Sequence, residues 1–313
     1  MTEPIKASLL RALTLNAADH PNRQGHISAA SGLVCAYGKA YVISDDEHHL
    51  AVFSEGSKEG DLFRLLTGDL PKNKAQRKSL KPDFESLFLL PKGPLMNCDG
   101  VVALGSGSKP NRSQGVYIAL NAKGESSPSI LHFDLKPLYF TLNKIFDEIN
   151  IEGAMLCAGQ WVLLNRGEAK SPSVKGNAAI FYPLSVLHGL IRGEPTEFKP
   201  SQIQRFKLGK MQRVGLGFTD CAALPDGSWL YTAVAEDTRD SYQDGAFLGA
   251  VIGRISAQGQ ILWQRPLKPS CKVEGIAVNV RGKGAGKILE ICLVSDADEP
   301  TLPALMLKAQ INY

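Results

Sequence analysis

The hydrophobic pattern of this chain repeats five times. Each copy begins with a polar or acidic residue, continues with a small residue and enters an apolar run, as in Ser31-Gly32-Leu33-Val34 and Glu274-Gly275-Ile276-Ala277. Successive copies lie roughly 54 to 68 residues apart, which is too long for most helical repeats. The five copies begin at Ser31, Glu85, Glu152, Asp220 and Glu274.

The residues after each copy have the pattern of short strands separated by turns. In the first copy, Tyr41-Val42-Ile43 is aromatic and β-branched, and Ser44-Asp45-Asp46 ends that strand with turn-forming residues. In the fourth copy, Pro225-Asp226-Gly227 is a turn between two apolar segments. The pattern predicts an all-β fold, a five-bladed β-propeller of four-stranded antiparallel blades.

The fifth copy is one strand short, since the chain ends at Tyr313 after three predicted strands. An uncovered sheet edge invites aggregation, so another segment is expected to cover it. We expect residues 5–15 to form the outer strand of the last blade. A free amphipathic helix is the alternative, because Leu9, Leu10, Leu13 and Ala17 have helical spacing.

No linker or change in composition divides the 313 residues, so the sequence predicts one domain, residues 1–313. Its blades cover approximately residues 27–80, 81–148, 149–213, 214–270 and 271–313, the last completed by residues 5–15.

Composition and charge narrow the possible partners and location. Hydrophobic residues make up 44% of the chain, which is enough for a core, and no run reaches the ~18 apolar residues of a membrane span. The net charge of +4 is small and dispersed, which argues against nucleic acid, and residues 72–81 are expected to be a solvated loop. The N-terminus lacks the pattern of a signal peptide, so a cytoplasmic protein is expected. The sequence identifies no protein partner.

Cysteine and histidine give only weak signals for chemistry. The six cysteines include no CxxC pair and have no zinc-site spacing with histidine. Cys98, Cys221 and Cys271 are the candidates for a catalytic thiol, which the pattern does not favour. His48 and His49 follow acidic residues and are candidates for a metal site. Neighbouring residues of a strand point to opposite faces, however, so the two rings are not expected to bind one ion.

The repeated polar residues are expected to meet at one end of a central channel. In a blade, the start of the first strand and the end of the antiparallel second strand lie on the same face. Several carboxylates around a narrow axis raise one another's pKa, and a hard cation with oxygen ligands relieves this. The alternative is that each acid caps a strand or pairs with a basic residue. The predicted ligands are Ser31, Glu85, Glu152, Asp220 and Glu274, with the register of Asp220 uncertain by one residue.

Two longer segments resemble a known family. Residues 31–46 (SGLVCAYGKAYVISDD) and 272–277 (KVEGIA) resemble the blade pattern of calcium-activated nucleotidases of the apyrase type. Glu274-Gly275-Ile276-Ala277 and residues 294–298 (VSDAD) are also similar to phytase-like and esterase-like propellers. The resemblance implies a five-bladed propeller with calcium held in its channel by serine and glutamate. Unlike the nucleotidases, the chain has Gly32 in place of a glutamate.

With such an ion, phosphoryl-ester hydrolysis is the coherent chemistry. Calcium, with magnesium or manganese as alternatives, would polarise a phosphoryl oxygen of a small anionic substrate. The candidate catalytic residues, which would orient water or act as general base, are Asp45, Asp46, Asp296 and Asp298. The candidate phosphate-binding residues are Lys109, Arg112, Arg166 and Arg239, with Lys170 and Lys175 extending the basic rim. The competing interpretation is a non-catalytic binding propeller with a structural ion.

Overall fold

A computed structural model describes residues 3–16, 25–93, 96–167, 176–237, 245–282 and 286–313. The described chain is mainly antiparallel sheet with three short helices. The first half contains β1 (Ile5–Ala12), β2 (Ala30–Ala36), β3 (Lys39–Ser44), β4 (His49–Ser54), β5 (Asp61–Arg64), α1 (Lys74–Leu80), β6 (Phe84–Leu90), β7 (Gly100–Gly105), β8 (Gln114–Leu120), β9 (Ser126–Asp134) and α2 (Lys136–Leu142). The second half contains β10 (Ile151–Cys157), β11 (Gln160–Asn165), β12 (Ala178–Pro183), α3 (Leu184–Arg192), β13 (Gln202–Arg205), β14 (Lys210–Met211), β15 (Val214–Ala223), β16 (Trp229–Asp237), β17 (Ala246–Ile255), β18 (Ile261–Lys268), β19 (Val273–Arg281), β20 (Ile288–Ser295) and β21 (Leu305–Asn312).

The strands form five sets, each arranged as an antiparallel meander. The first three sets are separate four-stranded sheets, β2–β5, β6–β9 and β10–β13. The fourth set, β15–β18, and the fifth set, β19–β21 with β1, are joined into one nine-stranded sheet that also includes β14. The link is a short parallel pairing in which Ile5 lies opposite Leu267 of β18.

The N-terminal segment is a strand, as predicted, and the helical alternative is wrong for Ile5–Ala12. Strand β1 pairs antiparallel with β21, with Ala7 opposite Ala309 and Leu9 opposite Leu307. Beyond this strand, Thr14 and Leu15 make isolated bridges to His26 and Gly60. The first described residues therefore cover the edge that the last strand would otherwise expose.

The helices correct two expectations from the sequence. Residues 72–81 do not form a simple loop: they contain α1, whose N-cap Asn73 accepts a hydrogen bond from the Gln76 backbone N–H. The apolar pattern of residues 130–142 predicts one continuous strand, but β9 ends at Asp134 and α2 follows with Pro137 in its first turn. Helix α3 ends at Arg192 and is capped by Gly193, which has the left-handed φ of 66° that glycine adopts without strain.

Five apolar clusters fill the spaces between neighbouring strand sets. Phe88 and Trp161 belong to the cluster between the second and third sets, and Leu33 and Val294 belong to the one between the first and fifth. The other three lie between the third and fourth, fourth and fifth, and first and second sets. The first strands also contact one another in a cycle, from β2 to β6, β10, β15, β19 and back to β2. The arrangement is propeller-like.

Among the described helices, none is long and apolar enough to cross a membrane.

Candidate functional site

Each strand set has a register shift near the start of its first strand. The shifts lie between residues 30 and 32, 84 and 86, 151 and 153, 218 and 220, and 273 and 275. Such a β-bulge leaves one residue unpaired and bends the strand, which redirects its side chain. The skipped residues are Ser31, Glu85, Glu152, Thr219 and Glu274.

The bulges settle the register of the fourth copy, where Thr219, not Asp220, is equivalent to the three glutamates. The Thr219 hydroxyl donates a hydrogen bond to the Val273 carbonyl at 2.8 Å. Asp220 is paired with Thr232, is 1% exposed, and accepts a hydrogen bond from the Ile276 N–H at 2.8 Å. Burial raises the pKa of Asp220 well above its ordinary value. The fourth strand set therefore contributes a hydroxyl at the bulge.

Three of the bulges are followed by a glycine that lies against the first strand of the next set. A Cβ added to Gly32 would lie 3.0 Å from the Leu87 backbone nitrogen, and one on Gly275 would lie 3.1 Å from that of Leu33. A Cβ on Gly153 would lie 3.0 Å from Asp220 Cα. Glycine permits this approach because it has no side chain. In these three sets, the polar residue and the glycine after it thus combine a bulge with a close backbone contact.

Lys272 lies among four carboxylates near the start of the fifth strand set. Its Nζ is 2.9 Å from Asp298, 3.0 Å from Asp296, 3.1 Å from Glu236 and 3.6 Å from Glu274. Burial alone would lower the pKa of Lys272, but the surrounding carboxylates raise it well above its usual value. Burial raises the pKa of Glu274 well above normal despite the lysine. The ammonium group therefore joins a bulge acid to the end of β20.

Arg166 makes the corresponding connection between the third and fourth strand sets. Its guanidinium contacts Glu236 and lies 3.4 Å from Glu152 Oε1, and the Asn150 amide also donates to Glu152 at 2.5 Å. Burial acts to raise the pKa of Glu236, but Arg166 and Lys272 outweigh it and lower that pKa. The predicted phosphate-binding arginine thus directs its donors to carboxylates of the protein.

A third cluster lies between the first and second strand sets. Lys81 contacts Asp45 and lies 2.7 Å from Asp83 Oδ1. Arg112 Nη1 donates to Asp83 Oδ2 at 2.9 Å, and Ser106 also donates to that carboxylate. Burial raises the pKa of Glu85 well above its ordinary value, and the neighbouring carboxylates Glu152 and Asp83 raise it further. Arg112, a predicted phosphate-binding residue, is therefore buried and directs Nη1 to a carboxylate of the protein.

The same cluster is where the described acids come closest to a metal-binding arrangement. Oxygen atoms of Asp45, Asp83 and Glu85 lie within 4.8 Å of one another, and one oxygen of Asp45 is buried without a hydrogen-bond partner. All-carboxylate donors suit a hard cation such as calcium. However, the Lys81 ammonium already contacts two of the three carboxylates. With Lys81 in this position, the residues do not fit a divalent ion.

The predicted metal ligands are distributed among different partners. Glu85 belongs to the Lys81 cluster, Glu152 pairs with Arg166 and Glu274 pairs with Lys272. The Ser31 hydroxyl donates to the Ala29 carbonyl at 3.2 Å. These contacts match the alternative in which each acid caps a strand or pairs with a basic residue.

The four predicted catalytic acids line one cavity of about 460 Å³, which Lys81 and Lys272 also line. Burial raises the pKa of Asp45 to about 7, with Lys81 opposing the shift. Burial likewise raises the pKa of Asp298 to about 6, with Lys272 opposing it. The acidic residues that line the cavity are Asp45, Asp46, Asp296, Asp298 and Glu299. The basic ones are Lys72, Lys74, Arg77, Lys78, Lys81 and Lys272.

The other predicted substrate-binding residues lie elsewhere. Lys109 lines a separate cavity of about 430 Å³ beside α2, with Lys136 and Phe140. Arg239, Lys170 and Lys175 lie outside the described residues. The His48 ring is hydrogen-bonded to the Gly68 carbonyl at 3.1 Å, and His49 Nδ1 lies 3.8 Å from Glu47.

Sequence reasoning missed the roles of Lys81, Asp83, Lys272 and the basic side chains of α1. A signal for part of this set exists, because Asp83 and Lys272 each lie two residues before a bulge acid. A residue so close in sequence stays near its acid in space, as the 3.6 Å between Lys272 Nζ and Glu274 Oε1 shows. No comparable signal marks α1, whose basic residues read as a solvated segment.

Comparison with known proteins places the chain in a family. Residues 26–311 match the model of the "Family of unknown function (DUF6929)". The chain belongs to this family. No curated protein matches its sequence.

Solved structures share only a low level of similarity with the chain. Glutaminyl cyclase from Myxococcus xanthus is 12% identical, with 99% of this chain and 100% of that chain covered and a TM-score of 0.48. An α-L-arabinanase from Cellvibrio cellulosa, complexed with arabinohexaose, is 10% identical, with 90% and 92% covered and a TM-score of 0.45. A hypothetical protein from Leishmania major is 12% identical, with 98% and 91% covered and a TM-score of 0.43. Similarity at this level carries no information on the activity of the chain.

Proposed function

We propose that the chain is a five-bladed β-propeller whose last blade is completed by β1. Two observations support this. The five first strands contact one another in a cycle, and five apolar clusters occupy the spaces between neighbouring strand sets. A ring of this kind needs no free sheet edge between its first and last blades.

We propose that this propeller binds a small phosphate-bearing ligand in the cavity beside α1. The supporting observation is that acids at the ends of β3 and β20 and basic residues of α1 line one cavity of about 460 Å³, a size suited to a metabolite. Lys72 and Lys74 are exposed at its rim, where ammonium groups can bind a phosphate. Lys81 and Lys272 lie deeper, among carboxylates.

The mixed lining favours a ligand with two kinds of polar group. Six basic and five acidic residues surround the cavity, so a ligand that carries only negative charge would meet repulsion from the acids. A phosphorylated sugar or polyol avoids this, because its phosphate can bind Lys72 and Lys74 while its hydroxyls donate to Asp46 or Asp296. Carboxylates accept such hydrogen bonds well.

Hydrolysis of the bound phosphate ester is a second candidate, favoured by the raised pKa of Asp45 and of Asp298. A carboxyl whose pKa is about 7 is protonated often enough at neutral pH to donate a proton to a leaving oxygen. Asp298, whose pKa is about 6, is mainly ionised there and can accept a proton from the attacking water. The rim lysines would stabilise charge on the phosphoryl group. No step in this proposal requires the calcium ion that the sequence predicted.

Binding is tested by calorimetry with sugar phosphates, inositol phosphates, nucleotides and inorganic phosphate, each with chelator and with calcium. Any compound that wild type binds should bind the Lys72→Ala/Lys74→Ala double variant about 10- to 100-fold more weakly, equivalent to about 1.5–3 kcal/mol. Lys109→Ala, in the separate cavity, is the matched control and should bind normally. Equal weakening in both proteins, or no binding by any compound, would refute the proposal.

Hydrolysis is tested by phosphate release from each ligand that binds. Asp298→Asn should lower kcat more than it changes KM if it acts as base, and Asp45→Asn should remove the alkaline limb of the pH profile. If ligands bind but wild-type release does not exceed that of the Asp45→Asn/Asp298→Asn variant, the binding function stands and hydrolysis is rejected.

A further inference from the structure

Two cysteines from opposite ends of the chain contact each other across the space between the first and fifth strand sets. Cys35 lies on β2 and Cys292 on β20, and their side chains share a hydrogen bond. Strands β2 and β20 are themselves in contact. Neither thiol takes part in the site described above.

The strand pattern places this pair independently of the hydrogen bond. Leu33 on β2 and Val294 on β20 both belong to the apolar cluster between the two strand sets, and Cys292 packs against that cluster. Alternate residues of a strand face the same side, so Cys35 shares the face of Leu33, and Cys292 shares that of Val294. Both thiols therefore extend from adjoining strands toward the same space.

The pair combines access to solvent with a reactive sulfur. Cys35 is exposed and Cys292 is partly exposed, whereas Cys157 and Cys221 are buried. The hydrogen bond with Cys35 lowers the pKa of Cys292 to about 7, against the effect of burial. A substantial fraction of Cys292 is then thiolate at neutral pH, and the thiolate is the nucleophilic form. By contrast, burial raises the pKa of Cys271 to about 11.

We propose that Cys35 and Cys292 form a dithiol site that a hydroperoxide oxidises to a disulfide. The Cys292 thiolate attacks one peroxide oxygen, the O–O bond breaks, and the sulfur becomes a sulfenic acid while the other oxygen leaves as water after protonation. The Cys35 sulfur then attacks the sulfenic sulfur and releases a second water. In total, two thiols lose two electrons and two protons, and one hydrogen peroxide is reduced to two waters.

The disulfide would join the first strand set to the fifth. Cross-linking residues so far apart in sequence strongly restricts the unfolded chain, and this stabilises the folded protein when native geometry is kept. Because the thiols already contact each other, the bond requires little movement of β2 or β20. The oxidised protein should therefore unfold at a higher temperature than the reduced protein.

The test treats the reduced protein with one equivalent of hydrogen peroxide. Mass spectrometry of a non-reducing digest should show the Cys35 and Cys292 peptides linked, with loss of two free thiols. The melting temperature should rise by several degrees and return on addition of dithiothreitol. The Cys35→Ser variant should instead accumulate a dimedone-reactive sulfenic acid at Cys292, and Cys271→Ser should behave like wild type.

Two results would overturn the proposal. One is oxidation spread over Cys98 and Cys271 with no linked Cys35–Cys292 peptide. The other is failure of a short thiol-bridging reagent, such as dibromobimane, to join the two cysteines in the wild-type protein. The second measurement needs no variant, so the proposal remains testable if a substitution at Cys292 prevents folding.

Discussion

Replacing Lys272 by methionine tests whether resident cations balance the charge of the bulge acids. The substitution keeps an apolar stem of similar length and removes one positive charge from among four carboxylates, at 2.9 to 3.6 Å. Removing one partner of a buried ion pair costs about 3–5 kcal/mol, because the remaining charge is uncompensated. Against a total stability of about 5–15 kcal/mol, this is a large loss.

The loss should depend on pH with a definite sign. Without Lys272, burial and the neighbouring carboxylates raise the folded-state pKa of Glu274 and of Asp298 further above their unfolded values. A group with a raised folded-state pKa contributes most stability below its unfolded pKa, and this contribution is lost as pH rises through the folded pKa. The Lys272→Met variant should therefore be closest to wild type near pH 5 and most destabilised near pH 8.

Urea unfolding at pH 5, 7 and 8 measures this difference. Lys123→Met, at an exposed lysine, is the matched control and should change the free energy of unfolding by less than about 0.5 kcal/mol at every pH. Lys272→Arg keeps the charge and should retain more of the stability than methionine does. A loss that is the same at pH 5 and pH 8, or one no larger than that of the control, would show that Lys272 does not balance these carboxylates.

Three further outcomes are expected. The Lys81→Met variant should be stabilised against heat by calcium, as wild type is not, because the substitution opens the acid cluster to a cation. If calcium and chelator change the melting temperatures of the two proteins equally, this expectation is wrong. Gly153→Ala should cost about 1–3 kcal/mol in urea unfolding because its Cβ would lie 3.0 Å from Asp220 Cα, whereas Gly286→Ala, with no atom within 4 Å, should be nearly neutral. Asp45→Asn should flatten the fall in stability between pH 5 and 8, because the raised pKa of Asp45 makes its ionisation destabilising in the fold; an unchanged slope would exclude this.

The local pattern of the sequence determined the strands and their repetition. Alternating apolar residues and turn residues specify short strands without reference to distant parts of the chain. This is why the starts at Glu85, Glu152 and Glu274 and the N-terminal strand could be predicted. Helix α1 was missed because its basic face contacts a cavity that exists only after β3 and β20 have come together.

Only the tertiary structure decided which charges meet. Lys272 lies two residues from Glu274 in sequence, yet it also contacts Glu236, and Arg166 connects acids from two strand sets. A one-residue shift in the fourth set exchanged Asp220 for Thr219 at the bulge, and no local pattern specifies a bulge to that precision. The sequence alone therefore determined that a polar residue recurs near the start of the first strand in each set. Whether a metal ion or a lysine neutralises them depended on packing between strands far apart in the chain, because charges select their partners by distance in space.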